Sequence, residues 1–136
     1  FALHIDLHAL IQSAPTPHVL VLLGGAWCPS CKLSTNFAVK NEAEVASHVT
    51  FVNVLIEGDT PKLPARKSHL DDWIKKQKVP FAIVADGYES PLAARKALGL
   101  RESAMLVERA TGHVLARAET LAKLWPKLAG FAPPGG

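Results

Sequence analysis

The sequence is poor in cysteine, with 2 in 136 residues. Two cysteines make at most one disulfide. That excludes a disulfide-stapled scaffold and a four-cysteine zinc or iron–sulfur site built within one chain. Long apolar runs are also missing. The longest, residues 19–26, is far shorter than the roughly 20 residues that cross a bilayer, so no transmembrane segment is expected. No basic stretch leads into an apolar segment at the start, so no secretory leader is visible. The chain opens at Phe1 rather than methionine, and removal of an upstream segment is one reading of that. Residues 62–78 carry Lys62, Arg66, Lys67, Lys75, Lys76 and Lys78 against Asp71 and Asp72. They lack the aromatic interleaving that stacks nucleic-acid bases, so this run reads as a solvated helix face and no nucleic-acid partner is expected.

What is present is ordinary globular material: 49% apolar, 20% charged and a net charge of +3. The length suits one domain with a sizeable core. Residues 1–136 therefore read as a single domain, with residues 131–136 as a frayed Pro/Gly tail. No repeat, low-complexity tract or linker interrupts it.

Residues 2–5 read as a short edge strand, and Asp6 as the N-cap of a helix over 7–13 with Leu7, Leu10 and Ile11 at helical spacing. The apolar run 19–23 reads as a buried central strand. A helix over about 28–47 follows, with Leu33, Phe37 and Val45 inward. Residues 50–56 form a second strand and 58–64 a loop. Ser68 caps a helix to about residue 77 with Leu70, Trp73 and Ile74 inward, and residues 81–85 form a third strand. Residues 91–98 read as a helix ended by Gly99. Residues 104–108 and 113–117 read as a hairpin, and 119–128 as a last helix bearing Pro126. Helices alternating with apolar strands predict an α/β sandwich, and the closing hairpin predicts a mixed sheet flanked by helices.

The chemistry concentrates at Trp27-Cys28-Pro29-Ser30-Cys31. A loop that closes over three residues adds little as a clamp, so the pair is chemical rather than structural. Residues three apart share a helix face, so both sulfurs can close a disulfide across one turn. The first cysteine falls at the helix N-terminus, where unpaired N–H groups and the macrodipole favour negative charge. Thiols in such positions ionise at roughly pH 3.5–7.5 rather than about 8.5, and the thiolate is the nucleophile in disulfide exchange. Cys28, expected to be more exposed, is the candidate nucleophile; Cys31, one turn in, is the candidate resolving cysteine. Pro29 suits a first turn because its missing N–H would be unpaired there. Trp27 is expected to shield the sulfurs and offer an apolar contact. Zinc ligation would need two further ligands, and of the six histidines only His4 and His8 are paired at helical spacing, across a strand–helix boundary. No metal site is expected, and the redox-active pair itself needs no cofactor.

Residues 19–32 resemble the strand, active-site motif and first helical turn of the thioredoxin superfamily. Trp-Cys-Pro-x-Cys is especially similar to the TlpA/ResA-like branch of extracytoplasmic thiol–disulfide reductases. The resemblance implies a thioredoxin-like sandwich with an inserted strand–helix segment, placed at residues 50–80 followed by 81–87. It also implies thiol–disulfide exchange, mostly as a reductant, with protein partners that include an upstream electron donor. The chain is expected to be a monomer in the periplasm or another extracytoplasmic space, the cytoplasm being the alternative. By the same resemblance Glu57 matches an acid that moves protons near the dithiol; a solvated strand-end glutamate is the plainer reading. Leu22 stands where ordinary thioredoxins bury an aspartate. Ala104 stands where the family places a cis-proline, with Pro80 the alternative candidate for that proline, so a trans bond is expected between Ser103 and Ala104. Those two residues, with Trp27 and Pro29, are the candidate substrate contacts. A second reading of the departure is a redox-sensing or metal-binding module on the same fold.

Overall fold

The computed structural model describes residues 7–58, 65–79, 82–85 and 102–129. The expected strand at 2–5, the Asp6 cap, the alternative cis-proline candidate Pro80, the helix at 91–98 and the tail at 131–136 lie outside them.

The first helix, α1 (Leu7–Gln12), leads into β1 (His18–Gly25). Next come α2 (Pro29–Asn41), a 3-10 turn (Glu42–Glu44) and β2 (Val49–Glu57). Then α3 (Lys67–Gln77) is followed by β3 (Ala82–Ala85), β4 (Ser103–Glu108), β5 (Val114–Ala118) and α4 (Leu121–Ala129). The strands form one mixed sheet of 5 in the order β3-β2-β1-β4-β5. β1 runs parallel to β2 and antiparallel to β4, and β2 and β3 are parallel. The expected hairpin is β4–β5, paired antiparallel.

β1 lies at the centre, and that position explains its composition. A strand covered on both faces reads as a continuous apolar run rather than an alternating one. Val19, Val21 and Leu23 join Val52, Val54, Ile56, Met105 and Val107 on one face, with Ile11 against them. Leu20 and Leu22 face the other way, with Phe51, Ala104, Leu106, Ala38 of α2 and Leu121, Leu124 and Leu128 of α4. Trp125 closes that core edge-on to Phe37, with ring centroids 5.2 Å apart.

Three local expectations are corrected. The helix over 28–47 ends at Asn41 and tightens into the 3-10 turn. Its buried face is Cys31, Ser34, Thr35 and Ala38, and Leu33 is 70% exposed, whereas Phe37 packs against the core as expected and Val45, beyond the helix end, is buried in it. Cys31 fixes that phase: i, i+3, i+4 and i+7 share its face, and Leu33 does not. The cap of α3 is Arg66, not Ser68, and the Nδ1 atom of His69 accepts the Arg66 backbone N–H at 3.0 Å. α3 ends on Lys78 in the left-handed region (φ 53). Of the basic run, Lys67, Lys75 and Lys76 stand exposed on α3 and Arg66 and Lys78 cap it, while Lys62 lies outside the described residues. Lys67 pairs with Asp71 at 2.8 Å. Such an exposed pair adds little stability.

Candidate active site

The site lies where β1 turns into α2. After β1 the chain stays bonded to the end of β2: the Ala26 N–H donates to the Glu57 carbonyl at 3.1 Å and the Trp27 N–H to the Gly58 carbonyl at 3.0 Å. The Cys28 N–H then turns back to the Gly25 carbonyl at 3.0 Å, and α2 begins. Pro29 opens that helix, where a missing N–H costs nothing. Cys28 is the N-cap, in an extended conformation, and its Sγ accepts the Cys31 N–H at 3.2 Å. The Ser30 hydroxyl lies 3.2 Å from the same sulfur. Both groups can donate to a sulfur that carries negative charge, and the helix terminus favours that charge.

Cys28 and Cys31 are joined by a disulfide, with Cα atoms 5.2 Å apart. The expected contrast in exposure is absent: Cys28 is 3% exposed and Cys31 is 7% exposed. Both sulfurs pack into an apolar cluster with Leu55, Ala65, Leu70 and Trp73, under half-buried Trp27. Pro29 and Ser30 are exposed beside them.

Glu57 is not a solvated strand-end residue. It is 3% exposed, opposite Gly25 in the parallel register, and its Oε1 accepts the Trp27 indole N–H at 3.3 Å. Gly25 is needed there. A Cβ on it would lie 2.7 Å from Trp27 Nε1 and 3.3 Å from Glu57 Cβ, so any side chain would push the indole off the carboxylate. Gly58 is held to glycine in the same way, because a Cβ would meet the His69 ring at 2.5 Å.

Ser103 and Ala104 separate in the structure. No cis peptide bond occurs among the described residues, and the Ser103–Ala104 bond is trans. Ser103 pairs with Leu23 and lines a small cavity with Cys31. Ala104 pairs with Leu22 and is buried in the α2–α4 core, so its side chain is not offered to a substrate. The structure therefore groups Cys28, Cys31, Trp27, Pro29 and Glu57, adds Ser103, and removes Ala104. The sequence reading missed Asn53, Ser34 and Thr35, which line the cavity beside Cys31. The available signal was a lone asparagine inside the apolar run of β2. Among the described residues, no group of three or more His, Cys, Asp or Glu is placed to hold a metal ion. No helix among them is long and apolar enough to cross a membrane.

Comparison with known proteins agrees with this geometry. The Redoxin family profile matches residues 5–118, and the chain belongs to that family. No curated protein matches the sequence. Among solved structures, the chain is similar to the thioredoxin domain of a thiol–disulfide oxidoreductase from Bacteroides vulgatus. That match has a TM-score of 0.69 at 18% identity and covers 85% of this chain and 79% of the other. A thioredoxin-like protein from Aeropyrum pernix matches with a TM-score of 0.70 at 12% identity, over 90% and 81% of the two chains. A secreted Mycobacterium tuberculosis disulfide oxidoreductase matches with a TM-score of 0.62 at 17% identity, over 84% and 81%. The fold is thioredoxin-like. A Redoxin chain carrying a Cys28–Cys31 disulfide at the start of α2 is a thiol–disulfide oxidoreductase.

Proposed function

We propose that the reduced pair acts as a reductant of protein disulfides, with Cys28 as nucleophile and Cys31 as resolving cysteine. The observation that carries this reading is the Cys28 sulfur at the helix N-cap, accepting the Cys31 N–H at 3.2 Å. A thiolate at Cys28 would keep that hydrogen bond and gain from the helix dipole. It attacks one sulfur of a partner disulfide, the partner's other sulfur leaves as a thiol, and a mixed disulfide forms. Cys31 then attacks Cys28, regenerates the Cys28–Cys31 bond and releases the reduced partner. The two electrons come from the dithiol, so a separate donor must reduce the pair again. Exposed Pro29 and Ser30, with the indole of Trp27, form the surface against which the partner's backbone lies. The expected compartment is extracytoplasmic, supported by the motif's resemblance and by a similar fold in a secreted mycobacterial protein.

Cys31→Ser should stop the cycle halfway. Mixed with a disulfide-bonded protein, the variant should accumulate a covalent adduct through Cys28, seen by intact mass and reversed by dithiothreitol. A variant that turns over without any adduct would remove Cys31 from the resolving role.

Glu57 is proposed as the acceptor of the Cys28 proton, through its position under Trp27. General acid–base groups of this kind contribute about 10²–10⁴-fold. Glu57→Gln, which keeps the acceptor for the indole, should slow reduction of a small disulfide at least about tenfold at neutral pH. An unchanged rate would leave Glu57 as a structural support for Trp27 alone.

A further inference from the structure

Asn53 is the one polar side chain in the middle of β2 that faces the pair's side of the sheet, between Phe51 and Leu55, and it is 1% exposed. Its Oδ1 accepts the Trp73 indole N–H at 2.6 Å, and its Nδ2 donates to the Leu22 carbonyl at 3.0 Å. Those partners fix the amide's orientation, because an indole only donates and a carbonyl only accepts. A carboxamide nitrogen carries two N–H groups, so one remains unspent. Asn53 also lines the cavity that Cys31 lines, which leaves about 10 Å³ for the centre of a water molecule, enough for one. Ser34, Thr35 and Ser103 supply further polar wall. Among the described residues, Glu119 is the one other titratable residue lining it, and its exposed carboxylate turns to Lys123 at 3.3 Å.

Cys31 needs such a neighbour. To resolve a mixed disulfide it must become a thiolate, and burial among Leu55, Leu70 and Trp73 disfavours that charge. Its own backbone N–H is already directed at Cys28. Leu22, the register partner of Asn53, places an apolar side chain alongside rather than a polar one. We propose that Asn53 is a positioning residue for the resolving step: its unspent N–H donates to the Cys31 sulfur, through one water in the cavity, as that sulfur ionises. The Cys31 thiol gives its proton to water, and the thiolate attacks Cys28. The Cys28–Cys31 bond forms as the bond from Cys28 to the partner breaks. The partner leaves as a thiolate and takes up a proton. The proposal rests on Cys31 as the resolving cysteine.

The test uses the reduced full chain and 5,5′-dithiobis(2-nitrobenzoate), followed across pH. Attack by Cys28 releases one thionitrobenzoate, and resolution by Cys31 releases a second. In Asn53→Leu the first phase should keep its rate. The second should shift its pH dependence upward by about one unit and slow about tenfold at pH 7, since the thiolate fraction falls tenfold per unit. Trp73→Phe removes one bond to Asn53 but keeps its N–H, and should change the second phase far less. An unshifted second phase, equal slowing of both phases, or an equal shift in Trp73→Phe would overturn the role of Asn53. A wild-type chain that releases only one thionitrobenzoate would instead overturn the resolving role of Cys31, and this proposal with it. If Asn53→Leu does not fold, the Asn53 side-chain amide resonances in Cys28→Ser decide. They should titrate with the Cys31 thiol, and amide shifts that stay flat across that titration would overturn the proposal.

Discussion

Cys28→Ser is expected to abolish disulfide exchange, to below about one-thousandth of the wild-type rate with a protein disulfide. A serine hydroxyl at neutral pH is not an anion and is a far poorer nucleophile toward sulfur than a thiolate. Serine also fits the N-cap at least as well as cysteine does, because its oxygen accepts helix N–H groups. The variant should therefore fold with wild-type stability less whatever the short disulfide contributes. Reduction of insulin disulfides, compared with a urea unfolding curve on the same preparation, separates lost chemistry from lost structure. Retained turnover in a folded Cys28→Ser protein would place the nucleophile elsewhere.

Phe51→Ala is expected to cost the most stability of any single truncation away from the sulfurs. Phe51 is among the largest fully buried side chains, and it packs with Leu20, Leu106 and Leu124. The Trp125 ring lies edge-on to it, with centroids 6.4 Å apart. Buried Phe→Ala changes cost about 3–5 kcal/mol, through lost transfer energy and the cavity left behind. Domains have only about 5–15 kcal/mol in total, so the midpoint of thermal unfolding should fall by roughly 10–20 °C. Phe51 sits two residues before Asn53 on the same face of β2, and α2 and α4 rest on that core. Exchange by the folded fraction should nevertheless persist, because no sulfur contact is removed. Calorimetry checks the first expectation and activity well below the unfolding midpoint checks the second. A shift of only a degree or two would mean that Trp125 and its neighbours close over the gap.

The central strand, the hairpin and the cysteine pair at a strand-to-helix turn were legible because each has a local signature. An uninterrupted apolar run marks a doubly covered strand, a turn between alternating segments marks a hairpin, and Cys-x-x-Cys has few other uses in this context. The inward face of α2 was legible only at Phe37, because its buried centre is built from Ser34 and Thr35 rather than from the apolar Leu33. Ser34 earns its place by accepting the Leu121 N–H at 3.1 Å at the start of α4, a contact 87 residues away. Glu57 read more plainly as a solvated strand end, since only the fold brings the Trp27 indole to it. Ser103 and Ala104 could not be told apart without the register against Leu23 and Leu22. A one-residue shift exchanges the faces of a strand. Asn53 was passed over as one residue of an apolar strand, because its meaning depends on Trp73 from α3 and on the cavity beside Cys31.

The central claim is that Cys28 and Cys31 form a reversible two-electron couple poised to reduce other disulfides. Equilibrating the full chain in glutathione or dithiothreitol redox buffers, and counting free thiols by alkylation and mass, tests it directly. The account predicts one two-electron transition near about −270 mV, the range of reducing thioredoxins. A transition near about −120 mV would make the protein an oxidant, and a pair that cannot be cycled would contradict exchange altogether.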